Sequence, residues 1–577
     1  MISLVAVLLR SATKLPQLPW IRHPRLPEGH GRFNNLPGGV FEIRTDEHFG
    51  AGHFEVLVIV NEGTMRKVAG DGTTILALNA GGGGKTFHNR GTLGVDSGRL
   101  QIQGRGTGSG VGRVEIAEGA TLDYAGGGHV YEAGSEIFSA GTLAVSGATV
   151  VLRGDYTLPS VAVSSGTLNV EGELMANSLG LSGGQIGAAG KVTVLDSFTW
   201  TAGAMHDEGE TLMASTATAT LSGTGQKQLA TGRVWSNAGM VRWEQGLIWV
   251  TGGTGRFNNL QGGVFDIHTD ERFGADFFAE LVIDNRGSIR KSAGEGRTHF
   301  GETGGGGGKV LHNSGVIDIG IGEVLISNRN QGIFSGSIVV GANGRLILSN
   351  SSYVLADGHS FVGTGTLRFQ SPVTLQAPVN FNSLNVFVEN NATFTGAFPM
   401  SIGADGSITF RKSISLPDAL TVAGTMTVES NDLTVTVPRT FTLASTGILN
   451  NPGTVRVGEF ANDGGTVNGN APVVTGLQQN FVVIDRITLG KGGFAQPSGA
   501  NSPSYRSVIL HWTGPPAVTF VLESSENLNT WKLHEARIAE SSSGRYEGTA
   551  VIDRKARSFF RIRSQVAAAN GLVEFHD

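Results

Sequence analysis

Residues 31–59 read GRFNNLPGGVFEIRTDEHFGAGHFEVLVI, and residues 255–283 read GRFNNLQGGVFDIHTDERFGADFFAELVI. The two stretches align without a gap at an offset of 224 positions, because Gly31 matches Gly255. The likeness continues through NEGTMRK against NRGSIRK and HNRGTLGVDSGRLQI against HNSGVIDIGIGEVLI. The duplicated unit therefore covers 31–105 and 255–329. Self-similarity on this scale points to a repeat architecture, in which each unit buries its apolar face only by stacking on its neighbours.

A shorter beat lies inside each copy. Asn-x-Gly followed by alternating apolar residues occurs at Asn61 and Gly63, Asn89 and Gly91, Asn237 and Gly239, Asn285 and Gly287, and Asn313 and Gly315. Related FNNL-x-GG corners begin at Phe33 and Phe257. A sharp bend between strands often needs a positive φ, which glycine adopts freely and asparagine tolerates. An asparagine amide also closes a turn by bonding nearby backbone, and stacked coils would bring such amides into a ladder. After the corners, runs such as GTLNVEGEL and GTMTVESNDLTVTV alternate with period two, so one face fills a core and the other meets water. The expected fold is all-β: a right-handed parallel β-helix, a solenoid, over 31–476, followed by a small antiparallel β-sandwich over 480–565 and a tail at 566–577.

One motif tests this reading. NAGGGGKTFHN (79–89) resembles a P-loop, but the first glycine that the pattern requires falls on Asn79. In the second copy, TGGGGGKVLHN (303–313), the hydroxyl position is Val310 and the first position is Thr303. Neither lies between a buried strand and an amphipathic helix. The glycine run is expected to be a flexible loop leading into a corner.

Composition agrees. The 577 residues include 87 glycines and no cysteine, with 39% hydrophobic and 16% charged, which suits a turn-rich all-β chain too apolar for general disorder. The formal charge of −5 carries no basic stripe, which argues against a nucleic-acid partner. Without cysteine, disulfides and thiolate chemistry are excluded. No apolar run reaches the ~18 residues of a membrane-spanning helix. Residues 1–30 form an irregular leader in which Pro16, Pro19, Pro24 and Pro27 forbid regular strand pairing. The 224-residue offset would place a tryptophan-bearing coil there, so Met1 is expected not to be the natural start.

Near residue 480 the rhythm changes. VLESSENLNTW (521–531) followed by FFRIR (559–563) resembles the fibronectin-III-like module that ends many large exported bacterial proteins. Its expected core is Trp512, Phe520, Leu522, Leu528, Trp531, Phe559 and Ile562. The Asn-x-Gly coils, with W-x-x-G at Trp200–Gly203 and Trp243–Gly246, resemble β-strand-repeat, autotransporter-passenger-like proteins. The resemblance implies a secreted or cell-surface location. It departs from a true autotransporter in lacking a recognisable C-terminal membrane barrel.

Candidate chemistry is sparse. The duplicated RTDEHFG and HTDERFG set Asp46, Glu47 and His48 against Asp270, Glu271 and Arg272. Paired carboxylates could serve glycoside chemistry, but adjacent residues on an extended chain point opposite ways. The acids are therefore expected in a loop facing water. His88 and His312 recur before corner asparagines and are expected to cap or pack there. Calcium-binding GGxGxD repeats are absent. No catalytic, cofactor-binding or metal-ligating residue is assigned; the five Asn and Gly pairs above are assigned as structural corners. Trp200 and Trp243 are expected in the core, with Trp249 a candidate for sugar stacking. The expected function is a non-catalytic scaffold or adhesin-like protein whose partners are polysaccharides or cell-surface or matrix components. The alternative is a polysaccharide lyase or hydrolase, because function lives in a site and not in the fold.

Overall fold

In a computed structural model of the chain, the described residues are 30–51, 56–79, 84–104, 107–110, 112–301, 307–475 and a set of strands between 483 and 575. The proline-rich start and the central glycines of both GGGGK runs lie outside them. The described residues form an all-β structure with no helix. Residues up to about 475 wind into a parallel β-solenoid of about 20 turns.

Each early coil contributes three short strands. His30–Asn35, Val56–Asn61 and Lys85–Asn89 stack in one sheet. Val40–Ile43, Thr64–Lys67 and Thr92–Val95 stack in a second. Phe49–Ala51, Thr73–Asn79 and Arg99–Ile102 stack in a third. Every described pairing in the solenoid is parallel, so each coil takes its backbone partners from the coils before and after it. Coil length varies. Thr142 pairs with Ser160, a step of 18, and Leu57 pairs with Lys85, a step of 28.

Alternation decides what faces in. In Thr64–Lys67 the second and fourth residues are buried, and in Ser288–Lys291 likewise. The interior is lined by stacked apolar side chains: Trp200 lies edge-on to Trp235 at 5.6 Å, and Trp235 leads through Phe257 at 4.7 Å to Phe265 and Phe273. Aromatic rings held 4.5–7 Å apart add ~0.5–1.5 kcal/mol per pair beyond the area they bury. Phe33, Phe41 and Phe49 repeat the arrangement in the first copy. The copies share their register. Val40 pairs with Thr64 and Val264 with Ser288, both steps of 24, and the inward residues Phe41 and Ile43 correspond to Phe265 and Ile267.

The chain divides into two compact units. The first comprises the residues up to Val437 together with 441–455 and 461–471; the second comprises 438–440, 456–460 and 472–577. In the second, described strands form two four-stranded antiparallel sheets. One holds Val483–Gly490, Tyr505–Thr513, Arg545–Asp553 and Ala539–Glu540; the other holds Lys532–Leu533, Phe520–Ser525, Ser558–Ser564 and Gly571–Phe575. The expected sandwich core around Trp512 and Trp531 falls outside the described side chains.

Candidate functional site

The corner asparagines form hydrogen-bonded columns inside the wall. Asn35 Nδ2 donates to Asn61 Oδ1 at 2.7 Å, and Asn61 Nδ2 donates to Asn89 Oδ1 at 2.8 Å. In the second copy Asn237, Asn259, Asn285 and Asn313 are joined the same way at 2.9, 2.8 and 2.7 Å. Each amide also donates to a backbone carbonyl of the next coil, as Asn285 does to Val316 O at 2.9 Å. Asn237 and Asn285 are thus linked through Asn259, the second asparagine of FNNL, which the Asn-x-Gly pattern passes over. The glycines of the corners serve a purpose other than the expected one. Gly63, Gly91, Gly239, Gly287 and Gly315 do not have a positive φ. A Cβ on Gly91 would stand 2.1 Å from Gly63 O, and one on Gly315 would stand 2.1 Å from Gly287 O. Close stacking of coil on coil is what requires glycine here.

Lysine is the residue that the sequence reading missed. Lys67, Lys85, Lys227, Lys291 and Lys309 are buried within the solenoid. Lys67 Nζ donates to Asp46 Oδ1 at 2.6 Å, and its duplicate Lys291 donates to Asp270 Oδ1 at 2.8 Å. Thr74 and Thr298 hydroxyls accept from the same ammonium groups at 3.2 and 2.9 Å. The other Asp46 oxygen accepts from Gly72 N at 3.2 Å, and that of Asp270 from Gly296 N at 3.0 Å. Asp46 and Asp270 are therefore half-exposed clasps on buried lysines of the following coil, not carboxylates turned wholly to water. The hydrogen bond from Lys67 holds the Asp46 carboxyl below its ordinary range. The signal was available: Lys67 and Lys291 stand two residues after the inward Met65 and Ile289, in the inward phase of their strands.

The lysine of the near-miss P-loop faces inward too. Lys309 Nζ donates to the carbonyls of Asp276 at 2.9 Å, Phe277 at 3.3 Å and Gly307 at 3.3 Å. It caps backbone and has no path to a phosphate outside. Lys227 sits in a similar cage, donating to Thr201 O at 3.3 Å and to Gly223 O and Gly225 O at 3.1 Å. No carboxylate pairs with it among the described residues, and burial pushes its ammonium down to about 8.

The outer charges are also engaged. Asp266 is buried, and burial alone would raise its pKa. Arg290 at 2.6 Å, Ser292 at 2.6 Å and His268 at 3.0 Å outweigh that and hold it at about 2. In the first copy Glu42 occupies the equivalent place and pairs with Arg44 at 2.6 Å. His312 Nδ1 accepts from Ile333 N of the next coil at 3.2 Å, and His48 Nδ1 accepts from Ile75 N at 3.4 Å. Among the described residues no group of three or more His, Asp or Glu is placed to hold a metal ion.

The tryptophans separate. Trp200 and Trp243 are fully buried, and Trp243 Nε1 donates to Gly246 O at 2.7 Å, which is the reason for the W-x-x-G spacing. Trp249 lies on the outward phase of Ile248–Val250 and donates from Nε1 to Asp276 Oδ1 at 2.7 Å. Beyond Asp276 the chain turns, and Phe277 and Phe278 stand 60% and 80% exposed. Shallow grooves lie elsewhere among the described residues of the wall. One, of about 280 Å³, is lined by Glu295, Glu323 and Arg345; another, of about 300 Å³, by Asp284, Arg286, His312 and Ile333. No family model, no curated protein and no solved structure matches this chain.

Proposed function

We propose that the protein is a non-catalytic scaffold of adhesin type, secreted or held at a cell surface, whose solenoid wall binds polysaccharide or matrix material. In this reading the β-helix is right-handed, the two C-terminal sheets pack as a fibronectin-III-like sandwich, and the whole belongs with autotransporter-passenger-like proteins. The observation that carries the proposal is the use of the repeated polar residues. Asp46 and Asp270 clasp buried lysines, and the corner asparagines bond one another. Groups committed to joining coil to coil are poor acids and bases, because a catalytic carboxyl must reach the bond it protonates.

One groove favours the enzymatic alternative, since Glu295, Glu323 and Arg345 line it together. Glu323, however, is paired on both oxygens, with Arg297 and with Arg345 at 3.0 Å, which commits the carboxylate to the wall and away from a bond it would have to reach. The test is a screen of residues 31–577 against acidic and neutral polysaccharides, reading retention together with new reducing ends and unsaturated products. Retention without product is expected. Product formation lost in Glu323→Gln would replace this reading with the enzymatic one.

A further inference from the structure

Trp249 is a ring mounted flat on the wall. Its register partner on the next coil is Gly274, where a Cβ would stand 2.5 Å from ring carbon Cζ3. The indole therefore lies across bare backbone with one face down, and its Nε1 bond to Asp276 fixes its rotation. After Ala275 the chain makes a turn closed by Ala279 N donating to Asp276 O at 3.1 Å. Lys309 grips that turn from inside through the carbonyls of Asp276 and Phe277. Phe277 and Phe278, edge to face at 4.8 Å, are thus held out into solvent by a buried cation. Adjacent exposed apolar side chains, unlike one exposed singly, are the kind of surface at which ligands and partners bind. The cluster is also unshared: Asp276 and Phe277 stand where the first copy has Gly52 and His53.

We propose that Trp249, Asp276, Phe277 and Phe278 form a stacking ledge for the rings of an uncharged polysaccharide. This rests on the scaffold reading and narrows its ligand class. A ring backed by glycine offers one flat π-face, which suits the C–H face of a pyranose, and an adjacent carboxylate accepts from its equatorial hydroxyls. One coil below, Gln228 pairs in register with Trp249 and is bonded to Gln226 at 3.1 Å, supplying amides along the same line. Coils repeat at the ~4.8 Å spacing of paired strands, close to the length of one sugar ring, so a chain lying along the axis meets polar and aromatic groups in step. Asp276 and Glu280 set two carboxylates at the ledge against one exposed cation on the strand leading into the turn, Arg272, while Lys309 is sealed within the wall, so the local charge does not favour a polyanion.

The test uses the full chain with insoluble β-glucan, chitin and mannan as probes, and pectate and anionic vesicles as contrasts. Trp249→Ala is expected to lower retention on at least one neutral glycan ten-fold or more, as is Phe277→Ser combined with Phe278→Ser. Trp249→Phe should recover most of the binding, and Val362→Ser, at another exposed apolar residue, should leave it unchanged. Far-UV circular dichroism and unfolding midpoints should stay at wild-type values. Equal retention of Trp249→Ala and wild type overturns the ledge, as does retention on none of the neutral glycans, or ledge-dependent binding confined to pectate or vesicles. The two readings fail separately. Turnover with ledge-dependent retention removes the scaffold reading and keeps the ledge, whereas retention indifferent to Trp249 does the reverse.

Discussion

At Asn285 one side-chain amide makes three hydrogen bonds, accepting from Asn259 and donating to Asn313 and to Val316 O. Replacing it with alanine leaves buried partners without water to replace it, and each such group costs ~1–3 kcal/mol. Asn285→Ala should therefore lower local stability by about 3 kcal/mol, read as faster amide exchange in residues 281–319. Asn258→Ala, one coil below on a weak 3.4 Å contact, should be nearly silent. Lys227 gives a pH signature. Its folded pKa is about 8 against an ordinary 10.5. Below about 8 both folded and unfolded chains carry the proton and the burial cost is fully present. Between there and 10.5 the unfolded chain holds a proton that the folded one has lost, so stability rises with pH, by at most ~1.4 kcal/mol per unit. Denaturant midpoints measured from pH 7 to 10.5 should show this rise in wild type and a smaller one in Lys227→Met. A wild type and variant with parallel pH curves would remove Lys227 as the cause.

At the scale of the element, the corner is set by contact. A methyl group on Gly315 meets the Gly287 carbonyl at 2.1 Å, so coil must part from coil to admit it. Gly315→Ala should cost several kcal/mol, while Gly84→Ala, with nothing within 4 Å, should stay within about 0.5 kcal/mol. Thermal or denaturant midpoints of the two variants decide this, and equal midpoints would refute the stacking account. Period-two alternation and the Asn-x-Gly beat made strands and corners legible, because both arise from local geometry that a sequence displays directly. The asparagine columns followed from stacking the corners. The inward phase of Lys67 and Lys291 was legible but their burial was not, since such a lysine looks like a break in the pattern until a carboxylate or carbonyl cage from another coil is known. Trp249 is already set apart by sequence from Trp200 and Trp243, which occupy the repeated W-x-x-G positions, and the strand phases agree with that separation. Asp276 and Phe277 entered as partners only through the turn that Lys309 holds.

Across the first unit, each strand finds its backbone partners one coil away, so stability is a sum of neighbouring interfaces and not of one central core. Such arrays open in pieces, and exchange should map opening by coil in place of a single transition. The duplication adds something else. Val40–Ile43 and Val264–Ile267 share the same register step, the same inward Phe and Ile, and an acidic outward residue, Glu42 or Asp266, opposite Arg66 or Arg290. Each could lie beneath the other's partner with little to tell the two arrangements apart. Order of synthesis favours the native arrangement, because domains and repeats made first have time to wind before the rest exists. A chain released whole from denaturant has no such sequence of events. Its refolding yield should fall as concentration rises and lag behind that of newly translated protein, and equal yields by both routes would mean that the two copies do distinguish themselves.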